Sequence, residues 1–244
     1  MSTFIKILKI FLIIVFLGNT KNEISAQDIF FEEEVSRLII PEFGASFMKP
    51  TGNFADKLNV GGIGLEGSVH FQLYPIHPFT LGVSGSYHYL DHVSIEFVEE
   101  INGIPTDLKE SITTQVLHFT GVLRYYLPVN LNEIKVYSDL LFGPKIFIAT
   151  YRLVDDDGGE FVNEFEVEQS DVSLSYGLSG GLHIPIWKNI HLHSKATYLT
   201  GISASFYNKR DPPAISPVYA IDAFELNNSS TQSIYFSLGL SFYL

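Results

Sequence analysis

Along most of this chain apolar residues recur at every second position. From Ser233 to Leu244 the even positions are Ile234, Phe236, Leu238, Leu240, Phe242 and Leu244, and the odd ones are Ser233, Tyr235, Ser237, Gly239, Ser241 and Tyr243. Side chains of a β-strand point alternately to its two faces, so the pattern predicts a strand with one apolar and one small or polar face. The polar face carries serine and glycine rather than charge, and the sequence given ends within the alternation. Both features favour a strand set in a membrane over a strand of a soluble sandwich.

The same parity predicts seven further strands, over residues 38–48, 60–74, 79–90, 115–127, 136–151, 171–186 and 190–206. In the second of these, Ile63, Leu65, Val69 and Phe71 stand against Glu66, Ser68 and His70. In the last, Ile190, Leu192, Tyr198, Ile202 and Phe206 stand against His191, His193, Lys195 and Ser203. The first is the least regular, with Phe43, Ala45 and Phe47 against Glu42, Gly44 and Ser46. Each reaches the roughly 9–11 residues that a tilted barrel strand needs to cross the hydrocarbon layer. The expectation is an all-β fold: a closed antiparallel transmembrane β-barrel of about eight strands, with ten as the alternative count. No apolar run approaches the roughly 20 residues of a spanning helix. Lipid tolerates only helices and closed barrels, because every backbone polar group must find a partner inside the protein.

The connections alternate in length. Those at 75–78, 128–135 and 187–189 are short, whereas 49–59, 91–114, 152–170 and 207–232 are mostly longer. Outer-membrane barrels show this contrast between short periplasmic turns and longer external loops. The expected location is therefore an outer membrane, with both termini periplasmic and the long loops extracellular. Trp187, Tyr74 and Tyr126 lie near the short turns, where an aromatic belt is expected.

The start of the chain reads as an export signal. Lys6 and Lys9 precede the apolar run Ile10 to Leu17, and Ile24-Ser25-Ala26 offers a cleavage site before Gln27. The division expected is 1–26 signal peptide, 27–37 N-terminal periplasmic segment and 38–244 barrel domain. There is no cysteine, so neither a lipid anchor on that residue nor a disulfide framework is available. Loss of the signal, which carries +2, moves the net charge from −12 to −14. Such a chain repels nucleic acid. The partners expected are outer-membrane lipid and lipopolysaccharide, the barrel-insertion machinery and another envelope or surface protein, with the barrel itself a monomer.

The export signal, the eight alternating strands and the ending Tyr-Phe-Ser-Leu-Gly-Leu-Ser-Phe-Tyr-Leu at 235–244 resemble the OmpA/OmpX/PorT-like family of small outer-membrane barrels. The resemblance covers about residues 38–244 and rests on pattern rather than on a specific motif. It implies that the last strand is read by the insertion machinery. Leu244 stands where the family has a terminal aromatic, with Phe242 two places earlier. The resemblance implies fold and location far more than activity.

Several groups are candidates for chemistry. Acid dominates the long connections: residues 91–114 carry a net −5 and 153–170 a net −7. Asp155-Asp156-Asp157 before two glycines has calcium-type ligands but lacks the spacing of an EF-hand loop. A solvated acidic loop is the plainer reading. Glu42, Glu66, Arg124, Asp139, Lys145 and Lys195 all fall on the inward face. An eight-stranded barrel is filled by side chains, so these six should form a polar core of three acids and three bases. A tight turn at 187–189 would set His183 opposite His193 and near His191, a weak metal candidate; a wider turn would face His183 with Lys195 instead. Asp91-His92, with His88 below, is the nearest acid–imidazole grouping, and no nucleophile elbow accompanies it. No cofactor is expected. The reading is a non-enzymatic barrel anchoring acidic surface loops for adhesion, envelope stability or protein association, the alternative being a transport or small-ligand barrel.

Overall fold

A computed structural model describes residues 39–244 except 59, 73–77, 102, 130–132, 156–162 and 210–218. The signal peptide, the segment 27–37, Tyr74, and Asp156 and Asp157 lie outside the described residues. The described strands are β1 (Ile39–Pro50), β2 (Gly62–Gln72), β3 (Phe79–Ile101), β4 (Ile104–Tyr126), β5 (Lys135–Asp155), β6 (Asn163–Trp187), β7 (Ile190–Gly201), β8 (Ser203–Lys209), β9 (Phe224–Ser230) and β10 (Ser233–Phe242). Eight of them close into an antiparallel ring in the order β1-β10-β7-β6-β5-β4-β3-β2, while β8 and β9 pair as a separate hairpin.

The ring closes between β1 and β10, where Gly44 pairs with Gly239. A Cβ on Gly239 would collide with the Phe43 carbonyl, so this seam requires a residue without a side chain. Closure leaves the ring without an edge to satisfy. The alternation then sorts the faces. Phe43, Ile63 and Leu238 are 60%, 72% and 56% exposed on the outside, while Arg124 and Lys145 are wholly buried within. That is the reverse of a soluble protein, and it suits a lipid exterior and a filled interior.

Strand length divides the ring into two halves. β1, β2, β7 and β10 have 12, 11, 12 and 10 residues. That is about one bilayer crossing. β3, β4, β5 and β6 have 23, 23, 21 and 25. These four continue past the others as a projecting four-stranded sheet at the end bearing the long connections, hereafter the long-loop end. The expectation of loops over 91–114 and 152–170 is thus corrected, because β3 and β4 pair as far as Ile101 and Ile104 and β5 and β6 as far as Val154 and Asn163. Register shifts at Tyr89/Asp91 and Ala149/Thr150 mark where the sheet leaves the ring. A β-bulge adds local twist and bend there.

Two further expectations are corrected. The strand assigned to 190–206 leaves the ring at Gly201, and Phe206, expected to face lipid, is 2% exposed inside the mouth on β8. Gly201 sits at the departure, where a Cβ would strike the Thr231 and Ser173 hydroxyls. Tyr126 points into the lumen, its ring 6.1 Å from those of Tyr137 and His183, and takes no part in an outer aromatic belt. Trp187 is on the outside, beside the two-residue turn 188–189.

Candidate functional site: the filled lumen and the projecting sheet

The inward faces of the eight ring strands meet in three layers. Nearest the short turns, β4 and β5 pair so that Arg124 stands opposite Asp139. Arg124 donates from Nε to Asp139 Oδ1 at 2.8 Å and from Nη2 to Oδ2 at 3.2 Å. On its other side its Nη1 and Nη2 reach both oxygens of Glu42 on β1. The guanidinium also lies 3.7 Å from the Tyr137 ring centre. Ser68 donates to Glu42 Oε2 at 3.0 Å and Ser179 to Asp139 Oδ2 at 2.9 Å. The chain of contacts therefore crosses the lumen from wall to wall. Lys195 pairs with Glu66 nearby.

Lys145 is different. It points inward from β5 towards the long-loop end, donating to the Thr231 carbonyl and to Ser233 Oγ, both at 2.8 Å. Among the described residues it has no carboxylate partner. Three acids and three bases line this lumen, but two of the acids share one arginine. Charge balances by number and not by pairs.

The middle layer is aromatic and imidazole. The rings of His88, His118 and Tyr235 lie 5.0–6.3 Å apart, and Tyr235 OH is 3.2 Å from His118 Nε2. Ser46 Oγ lies 2.9 Å from His88 Nε2, a hydroxyl–imidazole pair. His88 Nδ1 has no hydrogen-bond partner among the described residues, so no third group orients the imidazole as a base. Asp91 and His92 do not form a relay either. Asp91 Oδ1 accepts from the His92 backbone N–H at 2.8 Å, while the His92 ring meets Thr113 Oγ1 at 3.0 Å.

The metal candidates resolve in the same way. His183 does pair in register with His193, through the two-residue turn and a shift at Pro185/Trp187. The His183 ring is 6.3 Å from both His191 and His193. Its Nδ1 meets Tyr243 OH at 2.7 Å and its Nε2 lies 3.0 Å from Glu42 Oε1. No group of three or more ligand side chains able to hold a metal occurs among the described residues. Of the Asp155–Asp157 run, only the end of β5 at Asp155 is within them.

The outer layer was not legible as a site. Phe54, in the 3-10 turn Gly52–Phe54 between β1 and β2, inserts into the mouth with Leu58. It meets Phe206 of β8 and Phe147 of β5 at ring distances of 5.0 and 5.7 Å. A single signal was present: Phe54 and Leu58 are apolar residues in an otherwise polar connection. Above this plug, Phe224, Ala220 and Ala223 pack on Ile112 at the inner face of the projecting sheet, with Val93, Ile95 and Tyr151 beside them. Glu110 accepts the Ala220 N–H at 2.9 Å, and Asp171 accepts that of Ser205 at 2.7 Å. The hairpin is thereby tied to the sheet near the start of β8 and again just before β9.

The reversed polarity of the closed ring defines a small transmembrane β-barrel of the outer-membrane kind. No protein-family model and no curated protein matches the chain. Solved structures are similar to it. Neisserial surface protein A has 14% identity over 84% of this chain and 97% of its own, with a TM-score of 0.42. A major outer membrane protein from Thermus thermophilus has 12% identity over 83% and 98%, with a TM-score of 0.44. The E. coli Outer Membrane Protein W has 13% identity over 85% and 98%, with a TM-score of 0.36. The likeness is one of barrel fold alone.

Proposed function

We propose that this protein is a closed, non-enzymatic outer-membrane barrel whose work is done by the projecting sheet, an acidic surface for adhesion or for association with another envelope protein. The observation that carries this reading is a contrast within one ring. β3–β6 are about twice as long as the crossing requires, while the lumen beneath them is blocked by side chains. The short-turn end and both termini are periplasmic, and the sheet stands outside the cell. Lipid and lipopolysaccharide cover the apolar belt, the insertion machinery reads β10, and the barrel works as a monomer.

The sheet presents Glu96, Glu99 and Glu100 on β3, Asp107 on β4, and Glu164, Glu166 and Glu168 on β6. Lys109 offsets one of them through an exposed pair with Glu96 at 3.0 Å. A partner with a basic face suits this surface, and raised salt should weaken the contact. The test joins residues 91 and 114 by an Asn-Gly turn, removing the outer β3–β4 hairpin. Cells bearing equal amounts of the trimmed and the full barrel are then compared for retention on protein-coated surfaces. Retention should fall on trimming. Equal retention, or a steady ionic current through the purified full protein in planar bilayers, would overturn the reading.

A further inference from the structure

The long-loop half of the lumen is built differently from the half below it. In its wall Met48, Leu90, Val116, Phe147 and Leu199 face inward as one apolar cluster, interleaved with small polar residues such as Thr114, Ser173 and Ser233. Yet the space within that wall is not filled by the ring strands. It is occupied by Phe54 and Leu58 from the β1–β2 connection and by Phe206 from the β8–β9 hairpin. Both segments lie outside the ring pairing, and Asn208 of the hairpin donates to the Lys57 carbonyl at 2.7 Å, so they meet as one lid. With the lid in place a cavity of about 10 Å³ lies beside Leu90, Phe147 and Phe206.

At the floor of this chamber sits Lys145. It is fully buried, held by one carbonyl and one hydroxyl, with no carboxylate partner among the described residues. An ammonium carries three donors, and a buried cation that lacks an anion is costly. The Phe54 ring, 5.7 Å from Nζ, supplies only a cation–π contact. Below Lys145 the Glu42–Arg124–Asp139 layer closes the lumen, so the chamber is blind. That apolar cluster above Lys145, in a wall otherwise of small polar residues, suits one ligand chemistry, an apolar chain ending in an anion.

We infer that the outer lumen is a binding chamber for one amphiphilic carboxylate of the fatty-acid class, with the anion on Lys145 and the chain in the place that Phe54, Leu58 and Phe206 occupy when the lid is shut. The ligand displaces the lid's rings and gives Lys145 the charge partner it lacks. This goes beyond the surface role proposed above and leaves the lumen non-conducting.

The test uses the full protein in phosphatidylcholine nanodiscs with radiolabelled laurate, subtracting uptake by empty discs. One saturable laurate per protein is expected, with dodecanol at least tenfold weaker. Lys145→Met should weaken laurate at least tenfold, and Phe54→Ala should tighten it by emptying the chamber. Should Lys145→Met fail to fold, the lid provides the second route. The chain has no cysteine, so Asp171→Cys on β6 with Ser205→Cys on β8 can fasten the lid to the wall by a disulfide. Locked protein should not bind, and reduction should restore binding. Uptake equal to that of empty discs, unchanged affinity in Lys145→Met, or binding by the locked form would each overturn the inference. A failure here leaves the retention assay and the absence of current unaffected.

Discussion

Arg124 holds two carboxylates apart, and this decides how each residue of the group responds to removal. Leucine at Arg124 leaves Glu42 and Asp139 facing one another without their shared cation. Leucine at Asp139 leaves an arginine still paired with Glu42. Breaking a buried ion pair costs about 3–5 kcal/mol. Arg124→Leu should therefore lower the unfolding temperature in detergent by much more than Asp139→Leu. The double variant should recover only part of the loss, because Glu42 remains, and adding Glu42→Gln should recover more. Equal losses in the two single variants would show that Arg124 does not serve both acids. Parity alone put these six charged residues on one face, since a strand's period leaves no other choice. With Leu127 opposite Val136 across the turn, register also sets Arg124 against Asp139, as found. It did not reveal that Glu42 shares the same arginine, because that depends on side chains reaching across the lumen. Glu42 reaches Arg124 from a strand 82 positions away in sequence. Nor could it show Lys145 alone with neutral acceptors, since a count of charges carries no distances.

At the scale of strands, alternation was readable wherever lipid lay on one side and faded where it did not. Beyond the bilayer no apolar exterior is required, so Glu96, Glu99 and Lys109 disguise β3 and β4 as a loop. The inner face still alternates through Val93 and Ile95, which pack beneath Phe224. The bulge at Tyr89/Asp91 explains the deception: odd positions face out below it, as with Tyr87 and Tyr89, and inward above it. One inserted residue turns a strand over without altering the apparent period. Phe206 deceived in the opposite sense, keeping the lipid-facing parity of β7 after the chain had left the ring. Within the span the faces are testable on β10. Leu238→Arg sets a charge towards lipid at about 2–4 kcal/mol near the midplane. It should lower the folded fraction seen as heat-modifiable migration on gels. Ser237→Ala, on the buried face and with no hydrogen-bond partner for its hydroxyl among the described residues, should fold as the parent does. Normal folding of Leu238→Arg together with failure of Ser237→Ala would invert the assignment of faces.

For the molecule as a whole, the two ends of the ring are unlike, and this asymmetry lets the proposed orientation be measured. One end closes with tight connections such as 188–189, and the other carries the overshooting sheet, the lid hairpin and the connections 156–162 and 210–218. Outer-membrane barrels keep short turns on the periplasmic side and longer loops outside. Even strand number then returns β10 to the side on which β1 began. A protease added to intact cells should cut within 156–162 or 210–218, the long connections at the outer end. It should spare 75–78, 128–135 and 187–189 until the outer membrane is permeabilised. Mass spectrometry of the released and retained fragments distinguishes the cases directly. Paired strands resist cleavage because a protease needs an extended, unpaired segment, so the outer β3–β4 hairpin should be cut slowly despite its height above the membrane. Cleavage confined to the short turns of intact cells would turn the molecule over, placing the acidic sheet and the lid in the periplasm and removing the basis for a surface role.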